Sequence, residues 1–323
     1  KSEGASKEIS TKITLDEDLL NFIGLWFADG CYDRDSIIIS VMENENKKIV
    51  EKIAKRFNSK TKLHNDKFSS MINNSLLKAI MQEVFELKGD SYTKSLPNWV
   101  FNLSDKQIGY LLKGYFSGDG CASEKEVIIN SCSKDLINDI TTLLLRFNIL
   151  LRVSHKPRGR ISKNKKFGID NTYSARIGST KMLNRFKEDV GFIVLEKQKM
   201  LEELCSRRST HDTTDVIPIS SEVKEELHDI LGNKFNKNDY INLGQNIGRE
   251  HLSNLLKLVP EGITNPIDPL RAIVSSDIFW DKIKSINQIE SEGYVYDISV
   301  PENENFICDN IIAHNTLELP VDA

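Results

Sequence analysis

The sequence has few cysteines, no long apolar run and little net charge, and each of these features argues against some class of protein or kind of site. Its five cysteines are scattered and none belongs to a Cys-x-x-Cys pair, which argues against a zinc site and suits a reducing compartment. No apolar run approaches membrane-spanning length, and residues 1–14 lack a signal-peptide pattern. We therefore expect a soluble, cytoplasmic protein that has no membrane partner.

The net charge of −4 does not indicate a nucleic-acid binder, but the distribution of charge matters more than its total. The 43 lysines and arginines are enough to cover one face of a protein. At 323 residues the chain is too long for a single small core, so two or three domains are expected.

Two copies of one stretch organise the chain, at residues 22–30 and 112–120. Each ends an apolar helical pattern, and each carries small residues four positions apart, which would let two helices touch backbone to backbone. These small residues are Gly24 with Ala28 and Gly114 with Gly118. The pattern predicts a close helix pair.

Both stretches end in Asp-Gly, at Asp29 and Asp119. Glycine is usual just after a helix, but an acid there lies at the negative end of the helix dipole and is repelled. Two such acids brought together would also repel each other, and a shared divalent cation would remove both penalties. Asp29 and Asp119 are therefore candidate metal-binding catalytic acids.

The repeat extends beyond these two stretches. Arg56-Phe57-Asn58 recurs as Arg146-Phe147-Asn148 at the same separation of 90 residues that relates Asp29 to Asp119. Each unit reads as helix, strands, helix, strands, helix, so a duplication is predicted. The alternative is two unrelated amphipathic helices that both end in Asp-Gly by chance.

The paired stretches resemble the signature helices of the LAGLIDADG homing endonucleases, and the order of motifs resembles that of the copies carried inside inteins. The resemblance covers residues 16–206, with repeats at about 16–103 and 104–206 after a linker at 1–15. It implies an α+β fold class with a pseudo-symmetric, duplicated αββαββα endonuclease domain, and a monomer with an internal pseudo-dimer.

The resemblance also implies a function: an intein-encoded, site-specific endonuclease that cuts double-stranded DNA at the intein-free host allele. Asp29 and Asp119 would ligate Mg²⁺, for which Mn²⁺ can substitute, with the main-chain carbonyls of Ala28 and Gly118 as further ligands. Water would attack one phosphodiester in each strand, while the metal stabilises the entering and leaving oxygens.

Two lysines are carried over as catalytic candidates. Residues 94–100 resemble the lysine-proline block of intein endonucleases, which makes Lys94 a candidate, and the block at Gly191-Phe192 makes Lys197 its partner. A lysine near two acids and a phosphate can activate water or stabilise developing charge. The alternative for Lys94 is a solvated lysine that precedes a turn.

The most basic stretch runs from residue 152 to 166 and contains no acid. Strand-like sequence on both sides predicts a long hairpin that contacts phosphates or base edges in the major groove. Its DNA-binding candidates are Arg152, Lys156, Arg158, Arg160, Lys163, Lys165 and Lys166. A solvated loop is the alternative.

Residues 216–282 read as a separate helical unit. Helical runs at 239–246 and 249–258, separated by Ile247-Gly248, fit a helix-turn-helix in which the second helix presents Arg249 to DNA. The alternative to a helix-turn-helix is an ordinary small helical domain.

Residues 283–315 end in an apolar strand followed by His314, Asn315 and Thr316, which resembles the C-terminal splice junction of the all-β Hint fold of inteins. The resemblance implies that Asn315 attacks its own carbonyl and releases Thr316, that His314 assists the proton transfer, and that Thr316 supplies a nucleophilic hydroxyl. Glu304 stands where many family members have a histidine.

The N-terminal splicing block of inteins has no counterpart before the first signature helix. We expect a piece whose N-terminal intein half is missing or acts in trans, with residues 316–323 as a remnant of the host protein. Their Leu-Glu-Leu-Pro pattern faintly resembles archaeal transcription factor B. The alternative functions are a catalytically inactive LAGLIDADG protein that binds DNA or RNA, and a fragment that only splices.

Overall fold

A computed structural model describes residues 12–156, 172–206, 214–263, 267–288, 290, 293, 298–308 and 310–314. It combines helices with antiparallel sheets, which confirms the predicted α+β class. The chain divides into two compact units, Lys1–Trp280 and Asp281–Ala323. Among the helices of the described residues, none is both long and apolar enough to cross a membrane.

The first repeat begins with the predicted signature helix. Asp16 caps this helix by accepting a hydrogen bond from the Leu19 amide at 3.1 Å, which satisfies an amide that has no partner within the helix. The elements of this repeat are α1 (Glu17–Asp29), β1 (Gly30–Asp33), β2 (Ser36–Ser40), α2 (Asn44–Arg56), β3 (Thr61–Leu63), β4 (Ser69–Asn73), α3 (Ser75–Ala79), which continues into a π-helical turn at Ile80–Val84, and α4 (Asn98–Phe101).

The second repeat follows the same order. Ser104 caps its first helix, and Gln107 completes a capping box with it. The elements are α5 (Asp105–Asp119), β5 (Cys121–Ala122), β6 (Val127–Ser131), α6 (Lys134–Leu145), β7 (Arg152–Lys156), β8 (Thr172–Ile177), α7 (Thr180–Asp189) and α8 (Leu195–Ser206).

The two signature helices pack directly against each other. A Cβ atom built on Gly24 would lie 2.1 Å from the carbonyl oxygen of Leu111, and one built on Gly114 would lie 2.1 Å from that of Asn21. Such distances leave no room for a side chain, so the predicted backbone-to-backbone contact between α1 and α5 is confirmed. The contact lies within one core that both repeats share.

Each repeat folds its strands into a four-stranded antiparallel sheet, in the order β1-β2-β4-β3 for the first and β5-β6-β8-β7 for the second. Alternate residues of each strand point to opposite faces. One face of each sheet packs into the shared core through Ile37, Ile39, Ile72, Val127, Ile129, Ala175 and Ile177.

A second, smaller core forms after residue 214. Its elements are β9 (Val216–Ile217), α9 (Ser221–Leu231), a short 3₁₀ turn (Gly232–Lys234), a π-helical turn (Asn238–Asn242), β10 (Ile247–Gly248), α10 (Arg249–Leu256) and α11 (Ile267–Ser275). The predicted helix at 239–246 is wrong, because only five residues form a π-helical turn. Ile247 and Gly248 pair with β9 instead of forming the turn between two helices, so the predicted helix-turn-helix is not formed.

The C-terminal unit contains an antiparallel hairpin of β11 (Asn305–Cys308) and β12 (Ile311–His314), with Asn305 opposite His314. This pairing supplies the predicted strand before the Asn315 junction. Residues 298–300, which precede this hairpin, do not form a strand.

Candidate functional site

The acids of the two signature helices line one cleft. Asp29 is the last residue of α1 and Asp119 the last of α5, so the packing of these helices brings both helix ends together. The cleft has a volume of about 220 Å³, and its other lining residues include Lys94, Asn130 and Thr172. The structure therefore joins two carboxyl groups that are 90 positions apart in sequence.

Both carboxyl groups are held in surroundings that disfavour their charged forms. Burial raises the pKa of Asp119 to about 7, and the negative charge of Asp29 adds to this rise. Burial also raises the pKa of Asp29. The ammonium groups of Lys94 and Lys197 oppose both shifts.

Lys94 binds the C-terminal end of α1. Its Nζ donates to the carbonyl oxygens of Trp26 at 2.8 Å, Phe27 at 3.1 Å and Gly30 at 2.8 Å, and it lies 4.7 Å from the centre of the Trp26 ring. Burial lowers the pKa of Lys94 to about 8, against the opposing charges of Asp119 and Asp29. Lys94 is thus a buried member of the site, which excludes the alternative of a solvated lysine.

Lys197, on α8, binds the C-terminal end of α5 in the same way. Its Nζ donates to the carbonyl oxygens of Ser117 at 2.8 Å and Gly118 at 3.1 Å. Burial lowers the pKa of Lys197, and the carboxylate of Glu43 is the largest opposing influence. Because carbonyl groups at a helix C-terminus carry partial negative charge, each lysine stabilises the end of a helix whose last residue is an acid.

Sequence reasoning missed the residues that precede the second helix of each repeat, Glu43 and Ser133. Glu43 accepts a hydrogen bond from Asn46 Nδ2 at 3.2 Å, and the same nitrogen donates to the Ser117 carbonyl at 3.2 Å. Ser133 Oγ donates to the Lys94 carbonyl at 2.6 Å. These two positions are also 90 residues apart, which is the signal that could have identified them.

Asp29 and Asp119 are the carboxylates that could hold a divalent cation. A cation between the two acids would offset the rise in the pKa of Asp119 that burial and Asp29 cause, and carboxylate oxygen is a preferred ligand of Mg²⁺. Within the described residues, no group of three or more His, Cys, Asp or Glu side chains could surround a metal. The carbonyl oxygens of Ala28 and Gly118 were predicted to be further metal ligands. The Gly118 carbonyl accepts a hydrogen bond from Lys197. Ala28 lines the cleft, and its role as a ligand stays a prediction.

The DNA-binding candidates fall into three groups. Arg152 and Lys156 lie exposed on β7. Arg158, Arg160, Lys163, Lys165 and Lys166 lie outside the described residues. A further basic residue, Arg176 on β8, stands directly opposite Arg152 and was missed, although its place between the buried Ala175 and Ile177 marks it as facing away from the core.

Arg249 is a correction to the sequence prediction. Its guanidinium is buried and forms an ion pair with Asp215 at 2.9 Å, and it also donates to carbonyl oxygens that follow α11, including that of Ser276 at 2.9 Å. It therefore holds the small core together and does not face DNA. Residues 214–280 also carry ten acids against six lysines and arginines, a charge balance that would repel phosphates.

At the C-terminal hairpin, the predicted junction residue His314 lies 3.6 Å from the carboxylate of Glu304, measured from Nε2 to the nearer oxygen. The Glu304 carboxylate thus lies beside the imidazole of His314. Asn315 and Thr316 lie outside the described residues.

Comparison with known proteins identifies the family. The intein splicing domain matches residues 39–315, so this chain belongs to the intein splicing domain family. The architecture of two repeats joined through paired helices that end in acids is the one implied by the resemblance to LAGLIDADG endonucleases.

Two relatives and one solved structure illustrate the match. The chain is 29% identical to the RNA polymerase subunit Rpo1C and 26% identical to a glutamine–fructose-6-phosphate aminotransferase, both of Methanocaldococcus jannaschii. The matches cover 96% and 93% of this chain but only 37% and 27% of those proteins. The structure of I-DmoI in complex with DNA and calcium is 11% identical with a TM-score of 0.38, covering 55% of this chain and 90% of that one.

Proposed function

We propose that this chain is a site-specific double-strand DNA endonuclease carried by an intein, in which Asp29 and Asp119 hold Mg²⁺ or Mn²⁺ and hydrolyse one phosphodiester bond in each strand. The observation that carries the proposal is the meeting of the two acids in one cleft, with a buried lysine on the end of each signature helix. A purely structural helix pair gains nothing from two carboxyl groups that meet at its end.

The charge arrangement fits phosphodiester hydrolysis. A bound divalent cation would neutralise the two acids, polarise the phosphate and lower the pKa of the attacking water. Lys94 adds positive charge beside the acids. Its three N–H groups are all donated to carbonyl oxygens of α1 and Gly30, and loss of a proton would leave one carbonyl unsatisfied. We therefore assign Lys94 to electrostatic stabilisation and helix positioning rather than to proton abstraction from water.

The proposed partner is duplex DNA. Asn130 and Thr172 line the cleft, and they lie on one face of the second sheet. The same face also carries Arg152, Lys156 and Arg176. Basic side chains in a row beside the acids would contact phosphates or base edges of a duplex that passes over the cleft. Binding should weaken steeply as salt is added.

The relatives support the proposal that this chain is a segment inserted into unrelated host proteins. Rpo1C and the aminotransferase have unrelated activities, yet nearly the whole of this chain matches a part of each. A segment shared by such different hosts does not serve the chemistry of either. The DNA to be cut is accordingly the gene of the host protein without the insertion.

A second activity, peptide-bond cleavage at the Asn315–Thr316 junction, is favoured by the family match, which ends at Asn315, and by the position of His314 beside Glu304. The side-chain nitrogen of Asn315 would lose one proton to solvent and bond to its own main-chain carbonyl carbon, and the bond from that carbon to the Thr316 nitrogen would break. His314 would give a proton to the departing Thr316 amine.

Incubation with a plasmid tests the nuclease. The plasmid carries the host gene with the insertion removed so that its two flanks are joined, and Mg²⁺ is added. We expect a single linear product, and we expect Asp29→Asn and Asp119→Asn to abolish it. Glu188→Gln, which removes an exposed acid from α7, is the matched control and should cut normally. Retarded but uncut DNA with the wild-type chain would instead support the inactive binding protein.

A further inference from the structure

Each sheet places one row of four side chains across its strands at equivalent positions. Strand register defines both rows, because each member is paired with the next across neighbouring strands. Row 1, in strand order, consists of Cys31, Ile38, Met71 and Lys62, and row 2 consists of Cys121, Ile128, Arg176 and Arg152. The rows are identical at their first two positions and differ at the third and fourth.

Both rows face away from the shared core. The residues that flank Ile38 and Ile128 along their strands are buried in that core, and side chains alternate between the faces of a strand. Row 2 lies on the face that also carries Asn130 and Thr172, two positions along the same strands from Ile128 and four from Arg176. Because Asn130 and Thr172 line the cleft of Asp29 and Asp119, row 2 lies on the same side as the acids.

We propose that the third position of each row, Met71 in one and Arg176 in the other, determines which base each half of the protein prefers at equivalent places of its DNA target. The inference rests on the proposed function. A guanidinium recognises guanine through two hydrogen bonds in the major groove, whereas an apolar side chain contacts the methyl group of thymine. The half of the target under the second repeat should carry guanine, and the half under the first repeat should carry thymine.

An ion pair with Glu126 positions the Arg176 side chain for such a contact. Its Nη1 lies 3.4 Å from Glu126, and Arg152 Nη2 lies 3.6 Å from the same carboxylate. Two arginines directly opposite each other on neighbouring strands would repel, and the shared carboxylate between them removes this repulsion. A guanidinium with only some of its five N–H groups engaged keeps donors for a base.

The first repeat has no equivalent of this arrangement. Ser36 stands 90 residues before Glu126 and is therefore its equivalent in the first repeat. Its hydroxyl donates to Asn73 Oδ1 at 2.7 Å and, unlike the Glu126 carboxylate, carries no charge that could pair with an arginine. Met71 is partly buried beside Ile38, so the third position of row 1 is apolar whereas that of row 2 is a cation. The two halves therefore offer different chemistry at matched places, which predicts a target with two unlike halves.

Selection from duplex DNA containing a randomised segment tests this inference with the full chain. Bound DNA is recovered with EDTA present, so that no strand is cut, and is then sequenced. We expect a motif with two matched base positions, one preferring guanine and the other thymine. Met71→Arg should change thymine to guanine in one half, and Arg176→Met should remove the guanine preference in the other, each by on the order of tenfold to a hundredfold.

Matched variants separate base reading from general effects. Met71→Leu keeps an apolar contact and should keep thymine, whereas Arg176→Lys keeps the charge but loses the two-point hydrogen bond and should weaken the guanine preference. A Met71→Arg chain that melts like the wild type and enriches an unchanged motif would overturn the inference. A wild-type chain that binds no DNA would instead overturn the proposed function.

Discussion

Gly24 and Gly114 touch each other across the interface of the two signature helices: a Cβ atom on Gly24 would lie 3.0 Å from the carbonyl carbon of Gly114. The absence of both side chains allows α1 and α5 to approach closely and places Asp29 and Asp119 in one cleft. The interface is thus the structural basis of the candidate site.

Replacement of Gly24 or Gly114 by alanine should destabilise the protein. Alanine is favoured over glycine within an isolated helix by about 1 kcal/mol, but here the added methyl would overlap backbone atoms of the opposite helix. We expect a net loss of about 2 kcal/mol, measured by denaturant unfolding. Lys106→Ala on the exposed face of α5 is the control and should change stability little. Unchanged stability in both glycine variants would contradict the observed interface.

The helix pair could be predicted from sequence because its signal is local, namely small residues four positions apart that are followed by Asp-Gly. The duplication could be predicted because its parts recur at one separation of 90 residues. The surroundings of Arg249 could not, because its partner Asp215 lies 34 positions earlier and an arginine on a short helix looks the same whether it faces DNA or an acid. For the same reason Lys94 was identified by a motif, while its three carbonyl partners, more than 60 positions away, were not.

The pKa of Asp119 predicts a pH-dependent stability. Because burial and Asp29 raise this pKa to about 7, the stability contributed by Asp119 is present at acid pH and is lost as the pH rises through about 7. Without metal, Asp119→Asn should therefore raise the melting temperature more at about pH 7.5 than at about pH 5, by several degrees, since one pKa unit corresponds to about 1.4 kcal/mol.

The pH range matters because Lys94 titrates in the opposite sense. Its pKa is lowered to about 8, so its contribution is present at high pH and is lost as the pH falls through about 8. Measurements below about pH 7.5 therefore report mainly on Asp119. An Asp119→Asn effect that is equal at both pH values would show that this carboxyl group is not strained by burial.

Mg²⁺ should stabilise the wild-type protein by binding to the two acids. At a concentration ten times its dissociation constant, a ligand of the folded state adds about 1.4 kcal/mol, which corresponds to a rise of about 2 °C in melting temperature for a chain of this size. The rise should be much smaller in Asp29→Asn and in Asp119→Asn. Glu188→Gln should respond like the wild type, and an equal rise in all four proteins would place the cation elsewhere.

Lys94 and Lys197 should differ in how much they stabilise the fold. Lys94→Met removes three hydrogen bonds to carbonyl groups, whereas Lys197→Met removes two in a more exposed place and the Ser117 carbonyl keeps its bond from Asn46. One unsatisfied buried group costs about 1–3 kcal/mol. We expect Lys94→Met to lower the free energy of unfolding more than Lys197→Met does. Equal losses would indicate that the bonds of Lys94 contribute little beyond its charge.

The ion pair of Glu304 with His314 should influence cleavage at Asn315. The Glu304 carboxylate, 3.6 Å from Nε2, would orient the imidazole that gives a proton to the leaving amine. Glu304→Gln should therefore slow the loss of residues 316–323, as followed by mass spectrometry. Asn315→Ala should abolish the loss entirely, because it removes the attacking amide. Glu302→Gln, a neighbouring exposed acid, is the control. If Glu304→Gln and Glu302→Gln cleave at the same rate, the carboxylate of Glu304 has no part in the proton transfer.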